Sequence, residues 1–85
     1  MKLLILLVTA FSLNAFAGPE CTKEPKSKWL DAKEFEAKLR QEYEVKVFKT
    51  TKGNCYEIYG WNKAKQKVEI YFNPVTGEKV KEEIN

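Results

Sequence analysis

Two cysteines, Cys21 and Cys55, are the residues of this 85-residue chain best suited to covalent or redox chemistry, and they are the only cysteines present. Their separation is far from Cys-x-x-Cys, and the chain has no histidine to complete a zinc set. The missing histidine also removes imidazole as a general base. Beyond residue 17 the single serine is Ser27, so a serine hydrolase triad cannot be assembled. Carboxylates, lysines and tyrosines remain, in no recognisable catalytic constellation, and acidic runs such as Glu82-Glu83 lack the oxygen-ligand spacing of a calcium loop. The expectation is a protein that is not an enzyme and uses no cofactor and no metal.

The first seventeen residues have to be set aside before the others are read. Met1-Lys2 is a short cationic start, Leu3 to Leu13 is an apolar core, and Ala15-Phe16-Ala17 fits the small-x-small rule for cleavage, the pattern of a secretory signal peptide. The apolar run falls short of the roughly 20 residues that span a bilayer. Gly18-Pro19-Glu20 lacks the small apolar residues expected before a lipid-bearing cysteine, so no stable membrane anchor is expected after cleavage. Loss of Lys2 lowers the formal net charge from +3 to +2, too weak a field to suggest nucleic acid. The expected location is periplasmic or secreted. In that oxidising space Cys21 and Cys55 are expected to pair, closing a loop worth about 3–4 kcal/mol to a core this small.

The elements follow from periodicity. Residues 18–30 are rich in Pro, Lys and Glu and predict an extended N-terminal arm. The domain proper is expected over 31–85. Asp31 is an N-cap with Glu34 three residues on, and Leu30 and Phe35 take the staple positions of a helix whose stripe runs through Phe35 and Leu39 to an end near Gln41 or Glu42. From Tyr43 the period becomes two. Strands are predicted from Tyr43, over Cys55–Trp61 and over Lys67–Asn73, joined by Thr51–Asn54 and Asn62–Gln66. After the Asn73–Gly77 turn, residues 78–84 form either a fourth, edge strand or a frayed end. The fold class is α+β: one N-terminal helix packed on a three- to four-stranded antiparallel meander sheet, with one disulfide.

Alternation divides the strands into faces. Val45, Val47, Tyr56, Ile58, Val68, Ile70 and Phe72 are assigned to the helix side. The opposite face then carries Phe48, Tyr59, Trp61 and Tyr71 among Glu57, Glu69, Lys46 and Cys55, more aromatic than solvent requires. These four aromatics are the candidate partner-binding residues. The competing reading is that the arm, drawn over this face by Cys21, buries part of the stripe as a second minor core. Lys63, Lys65 and Lys67 read as a solvated hairpin tip.

The residues also carry a resemblance. Cys21-Thr22-x-Glu24-Pro25 before Trp29, Tyr43-x-Val45 after the helix, Gly53-Asn54-Cys55-Tyr56-Glu57-Ile58-Tyr59-Gly60, and Val68 through Pro74 to Thr76-Gly77-Glu78 together resemble a stand-alone PepSY domain. The likeness spans roughly residues 21–81. The chain departs from the family pattern at Glu42, where glycine is frequent, and in the Asn62–Gln66 hairpin, which has none. The resemblance implies a helix on an antiparallel sheet, an extracytoplasmic location, kinship with propeptides of secreted metallopeptidases, and no catalytic residue. The expected function is binding of a protein partner, with a peptidase as one candidate, by a monomer or weak homodimer. The alternative is a binding module for a small molecule, peptide or cell-wall fragment, held between helix and sheet at a rim of Trp29, Phe35 and Tyr56.

Overall fold

Valine, isoleucine, tyrosine and phenylalanine at alternate positions suit a pleated, half-buried surface, and here they build a four-stranded antiparallel sheet. The computed structural model describes residues 18–85; the expected leader, residues 1–17, lies outside the described residues. The strands are β1 (Glu44–Thr50), β2 (Tyr56–Trp61), β3 (Lys67–Phe72) and β4 (Lys79–Ile84), and their spatial order follows the chain. The last segment therefore pairs as a fourth, edge strand. All six β4 residues are exposed, and four of them are charged, which discourages edge-to-edge pairing.

Among the described residues one α-helix, α1 (Ala32–Leu39), precedes the sheet, and the expected extended arm before it is broken by a single 3-10 turn at Lys26–Lys28. The start of α1 is the expected one, with Asp31 Oδ2 accepting from the Glu34 backbone N–H at 3.0 Å. Leu30 and Phe35 converge over Gly77, each 3.2 Å from where a β-carbon there would sit. The helix stops before the expected Gln41 or Glu42, because the N–H groups of Gln41, Glu42 and Tyr43 turn back to Lys38 and Leu39 and feed β1 directly. The hairpin that lacks glycine places Lys65 at a φ of 67°, the left-handed conformation a glycine would have adopted more readily. Among the described residues no helix is long and apolar enough to cross a membrane.

Phe35 and Leu39 of α1 meet Val45, Tyr56, Ile58, Val68, Ile70 and Phe72 in a single core, with Trp29, Tyr43 and Phe48 at its margin. Tyr56 is its hub. Phe35 stacks on it at 5.7 Å, Trp29 meets it edge-on at 5.6 Å and Phe48 lies 5.2 Å away, while its hydroxyl donates to the Leu30 carbonyl at 2.8 Å. Burial, with help from Asp31, pushes that hydroxyl pKa up, so it stays a donor.

Strand β1 corrects the expected faces. Val45 is buried opposite Gly60, but a β-bulge between Val45 and Val47 adds Lys46 and shifts the register by one. Val47 then pairs with Tyr59 on the outer face, 40% exposed, and Phe48 pairs with Ile58 on the helix side. The two exchange the faces that strict alternation assigns them. Gly60 permits the bulge, since any β-carbon there would collide with the Glu44 carbonyl oxygen and crowd Val45 Cα.

Gly60→Ala is accordingly expected to destabilise the fold by about 1–3 kcal/mol, a fall in Tm of at least about 4 °C for a domain this size. Hydrogen exchange should show the loss first at β1 amides. An unchanged Tm would mean that the Glu44 carbonyl moves aside freely.

Candidate functional site

The sheet face away from α1 is built from three strands in register: Glu57 stands opposite Tyr71, Tyr59 opposite Glu69 and Trp61 opposite Lys67. On the β1 side Lys49 stands opposite Glu57, Val47 opposite Tyr59 and Glu44 opposite Trp61. Three of the four candidate aromatics, Tyr59, Trp61 and Tyr71, thus share this face. Phe48 does not join them, because the bulge turns it toward Tyr56. Val47 takes its place as an exposed apolar side chain. The adjacent apolar pair Val47-Phe48, which breaks strict alternation, is the sequence signal for that exchange.

The arm covers half of this face. Cys21 and Cys55 form the expected disulfide, with Cα atoms 5.1 Å apart. The arm is also held by backbone and amide hydrogen bonds: Cys21 N–H donates to the Gly53 carbonyl at 2.9 Å, and Asn73 Nδ2 donates to the Cys21 carbonyl at 3.1 Å. Gly53 is required there, because any β-carbon would meet the Pro19 carbonyl oxygen. Gly18 packs on Tyr71, with its β-carbon position 3.5 Å from the hydroxyl oxygen. The other half stays open as a strip of Val47, Tyr59 and Trp61.

Under the arm lies a residue that sequence reasoning did not single out. Glu57 is 2% exposed, and its Oε2 has no hydrogen-bond partner. A solvated strand position and a buried carboxylate have the same sequence; what differs is the tertiary packing around it, where Gly18 lies on the facing Tyr71 and Pro19 on neighbouring Cys55. Lys49 Nζ approaches the other oxygen at 3.9 Å, from a side chain that is itself half exposed, and sits over the Tyr59 ring at 5.5 Å. Tyr71 donates its hydroxyl to Glu69 Oε2 at 2.9 Å. Burial first, then the neighbouring Glu69 carboxyl, pushes the Glu57 carboxyl up to about 7. Glu69 is lowered, chiefly by its hydrogen bond with Glu57. The two carboxyls therefore titrate as a pair that shares one proton. Tyr59, pushed up to about 12 by burial and then by Glu57, and Tyr71, raised by burial and then by Glu69, remain neutral donors around the pair.

A second feature is a groove of about 550 Å³ between α1 and the start of β4, bordered by Asp31, Glu34, Phe35, Glu42, Tyr43 and Lys79. Of the expected rim Trp29, Phe35 and Tyr56, only Phe35 borders it, since Trp29 and Tyr56 pack on each other. Lys63, Lys65 and Lys67 are all exposed. Among the described residues no group of three His, Cys, Asp or Glu side chains is placed to hold a metal ion.

The raised Glu57 carboxyl has a definite sign in stability. Between about 4.5 and 7 the folded chain binds more protons than the unfolded one, so stability falls as pH rises through that window. With Gly18 in its amide form, bonded to residue 17, the Tm is expected to drop by at least about 5 °C from pH 5 to pH 7.5. Glu57→Gln, neutral and nearly the same shape, should flatten the curve. A curve equally steep in that variant would place the titration elsewhere.

The family described as peptidase propeptide and YPEB domain matches residues 1–83. No curated protein and no solved structure matches the chain. With nearly its whole length matched, the chain belongs to this PepSY_2 family, propeptide-like domains that are generally extracytoplasmic.

Proposed function

We propose that this chain is an exported, non-catalytic PepSY domain that binds a protein partner, an extracytoplasmic peptidase, and modulates its activity through the open half of the outer sheet face. The observation that carries the proposal is the strip of Val47, Tyr59 and Trp61, partly exposed on a face whose other half the chain covers with its own arm. Aromatic side chains present large contact area at low entropic cost and dominate interface hot spots. The family's description as a peptidase propeptide domain supports a peptidase as that partner. In this reading residues 1–17 direct export and are removed after Ala17, as their sequence pattern suggests.

Tyr71 takes a different role from Trp61. It lies against Gly18 and donates to Glu69, so it braces the covered half. Tyr59 and Trp61 are the contact residues, with Phe48 in the core margin.

The test is co-purification of the oxidised exported protein with partners from an envelope extract, together with a peptidase assay on that extract. Val47→Ala with Trp61→Ala should abolish recovery of the peptidase and its change in activity, while stability shifts by no more than about 1 kcal/mol. Recovery unchanged by the double variant would remove the strip from the binding surface. Chemical-shift changes confined to Glu34, Tyr43 and Lys79 on adding peptides or wall fragments would instead favour the α1–β4 groove and a small-ligand module.

A further inference from the structure

A carboxylate oxygen sealed from water without a partner is expensive, and proteins answer it with a proton, a hydrogen bond or a cation. Glu57 Oε2 is such an oxygen. The charged and titratable groups facing it come from every neighbouring segment: Lys49 from β1, Tyr59 from β2, Glu69 and Tyr71 from β3, Lys81 and Glu83 from β4. None of the cations answers Oε2. Lys49 approaches only Oε1, at 3.9 Å, and Lys81 is paired with Glu83 at 3.3 Å.

The start of the arm packs on the residues that flank this oxygen. Gly18 touches Tyr71, the residue directly opposite Glu57, and the Pro19 carbonyl oxygen lies 3.4 Å from Sγ of Cys55, two positions before Glu57 on the same face. From the position of a β-carbon on Gly18, 3.5 Å from the Tyr71 hydroxyl oxygen, backbone geometry puts the Gly18 nitrogen within about 6 Å of that hydroxyl. That hydroxyl is itself bonded to Glu69 Oε2 at 2.9 Å. Gly18 is also the residue that follows the small-x-small pattern Ala15-Phe16-Ala17.

The geometry points to an ammonium-binding site formed by Glu57 and Glu69 under the arm, whose occupant is the chain's own α-amino group, released at Gly18 when the leader is removed. This inference rests on the cleavage after Ala17 set out above. Before cleavage the Gly18 nitrogen is an uncharged amide, and the two carboxyls share a proton. Cleavage turns it into a terminal ammonium with three donors and frees its rotation, and that cation replaces the shared proton. Export processing would thus complete the covered half of the outer face and lock the arm beside Tyr71. The lock leaves the strip of Val47, Tyr59 and Trp61 as the surface offered to a partner.

The experiment compares two oxidised chains, one beginning at Gly18 and one retaining the uncharged residues 14–17; every described element, the core and the disulfide lie within residues 18–85. The Glu57 carboxyl is followed by carbon NMR against pH. A cation within about 4–6 Å lowers a carboxyl pKa by about 1–3 units, so the Glu57 midpoint should be at least about one unit lower in the chain that begins at Gly18. Its α-amino group should titrate correspondingly above the ordinary value of about 8. Glu57→Gln should return the amine to that value, and where that variant folds poorly Glu69→Gln should reduce the same shift. Lys49→Met should leave the difference between the two chains intact. Equal Glu57 midpoints would overturn the proposal and leave the shared proton as the whole answer to Oε2. The intact mass of the exported protein is a separate readout. A start at any residue other than Gly18 would overturn the cleavage reading, and with it the assignment of this amine as the natural occupant.

Discussion

A four-stranded sheet has two faces to protect from water, and a helix of eight residues, about 12 Å long, covers part of only one. That mismatch organises the rest of the molecule. On the helix side Phe35 and Leu39 close over Tyr56, Ile58, Ile70 and Phe72, while every residue of β4 remains exposed. On the other side no second α-helix lies among the described residues. The chain uses its extended N-terminal arm instead, pinned by the Cys21–Cys55 bond and by hydrogen bonds to Gly53 and Asn73. Loss of the disulfide would release the cover as well as the loop-closure stabilisation of about 3–4 kcal/mol.

An arm is a thinner cover than a helix, and its consequences are chemical as well as mechanical. It is wide enough to seal Glu57 and flank Tyr71, and too narrow to reach Tyr59 and Trp61 fully. One sheet face is thus divided into a closed half holding two carboxyls beside the Tyr71 phenol, and an open half holding an aromatic and aliphatic strip, with Tyr59 on the boundary between them. The closed half governs proton and ammonium affinity. The open half is suited to contact with a protein surface. Both depend on the same backbone path from Gly18 to Cys21, so the state of the N-terminus and the surface available to a partner are physically coupled.

The bulge in β1 is the second device that shapes the site. Lys46 is inserted, Gly60 makes room, and the two strand residues that follow exchange faces. Phe48 then fills the margin of the core beside Tyr56, where an aromatic ring is worth more than in water. Val47 joins Tyr59 outside. Without the bulge, Phe48 would stand on the outer face and the ring cluster around Tyr56 would lose a member.

Much of this was legible in the residues themselves. The Asp31 cap and the Leu30–Phe35 staple act within a few positions of each other, and the strands alternate about turns with Gly, Pro and Asn, so local chemistry alone placed α1, β2 and β3 and set the α+β class. The pairing of two lone cysteines followed from compartment and number. The family was likewise legible in short motifs around Cys55 and Tyr71. Tertiary structure decided what depends on residues far apart in the chain. The clearance at Gly60 for Glu44 turns Phe48 inward. The packing of residues 18–21 on Gly53, Cys55 and Tyr71 closes the surroundings of Glu57, an acid that the sequence alone would leave solvated. Sequence patterns report which side chains prefer water, but the burial of a given carboxylate is set by whatever backbone lies above it, and that backbone is supplied here from more than thirty positions away.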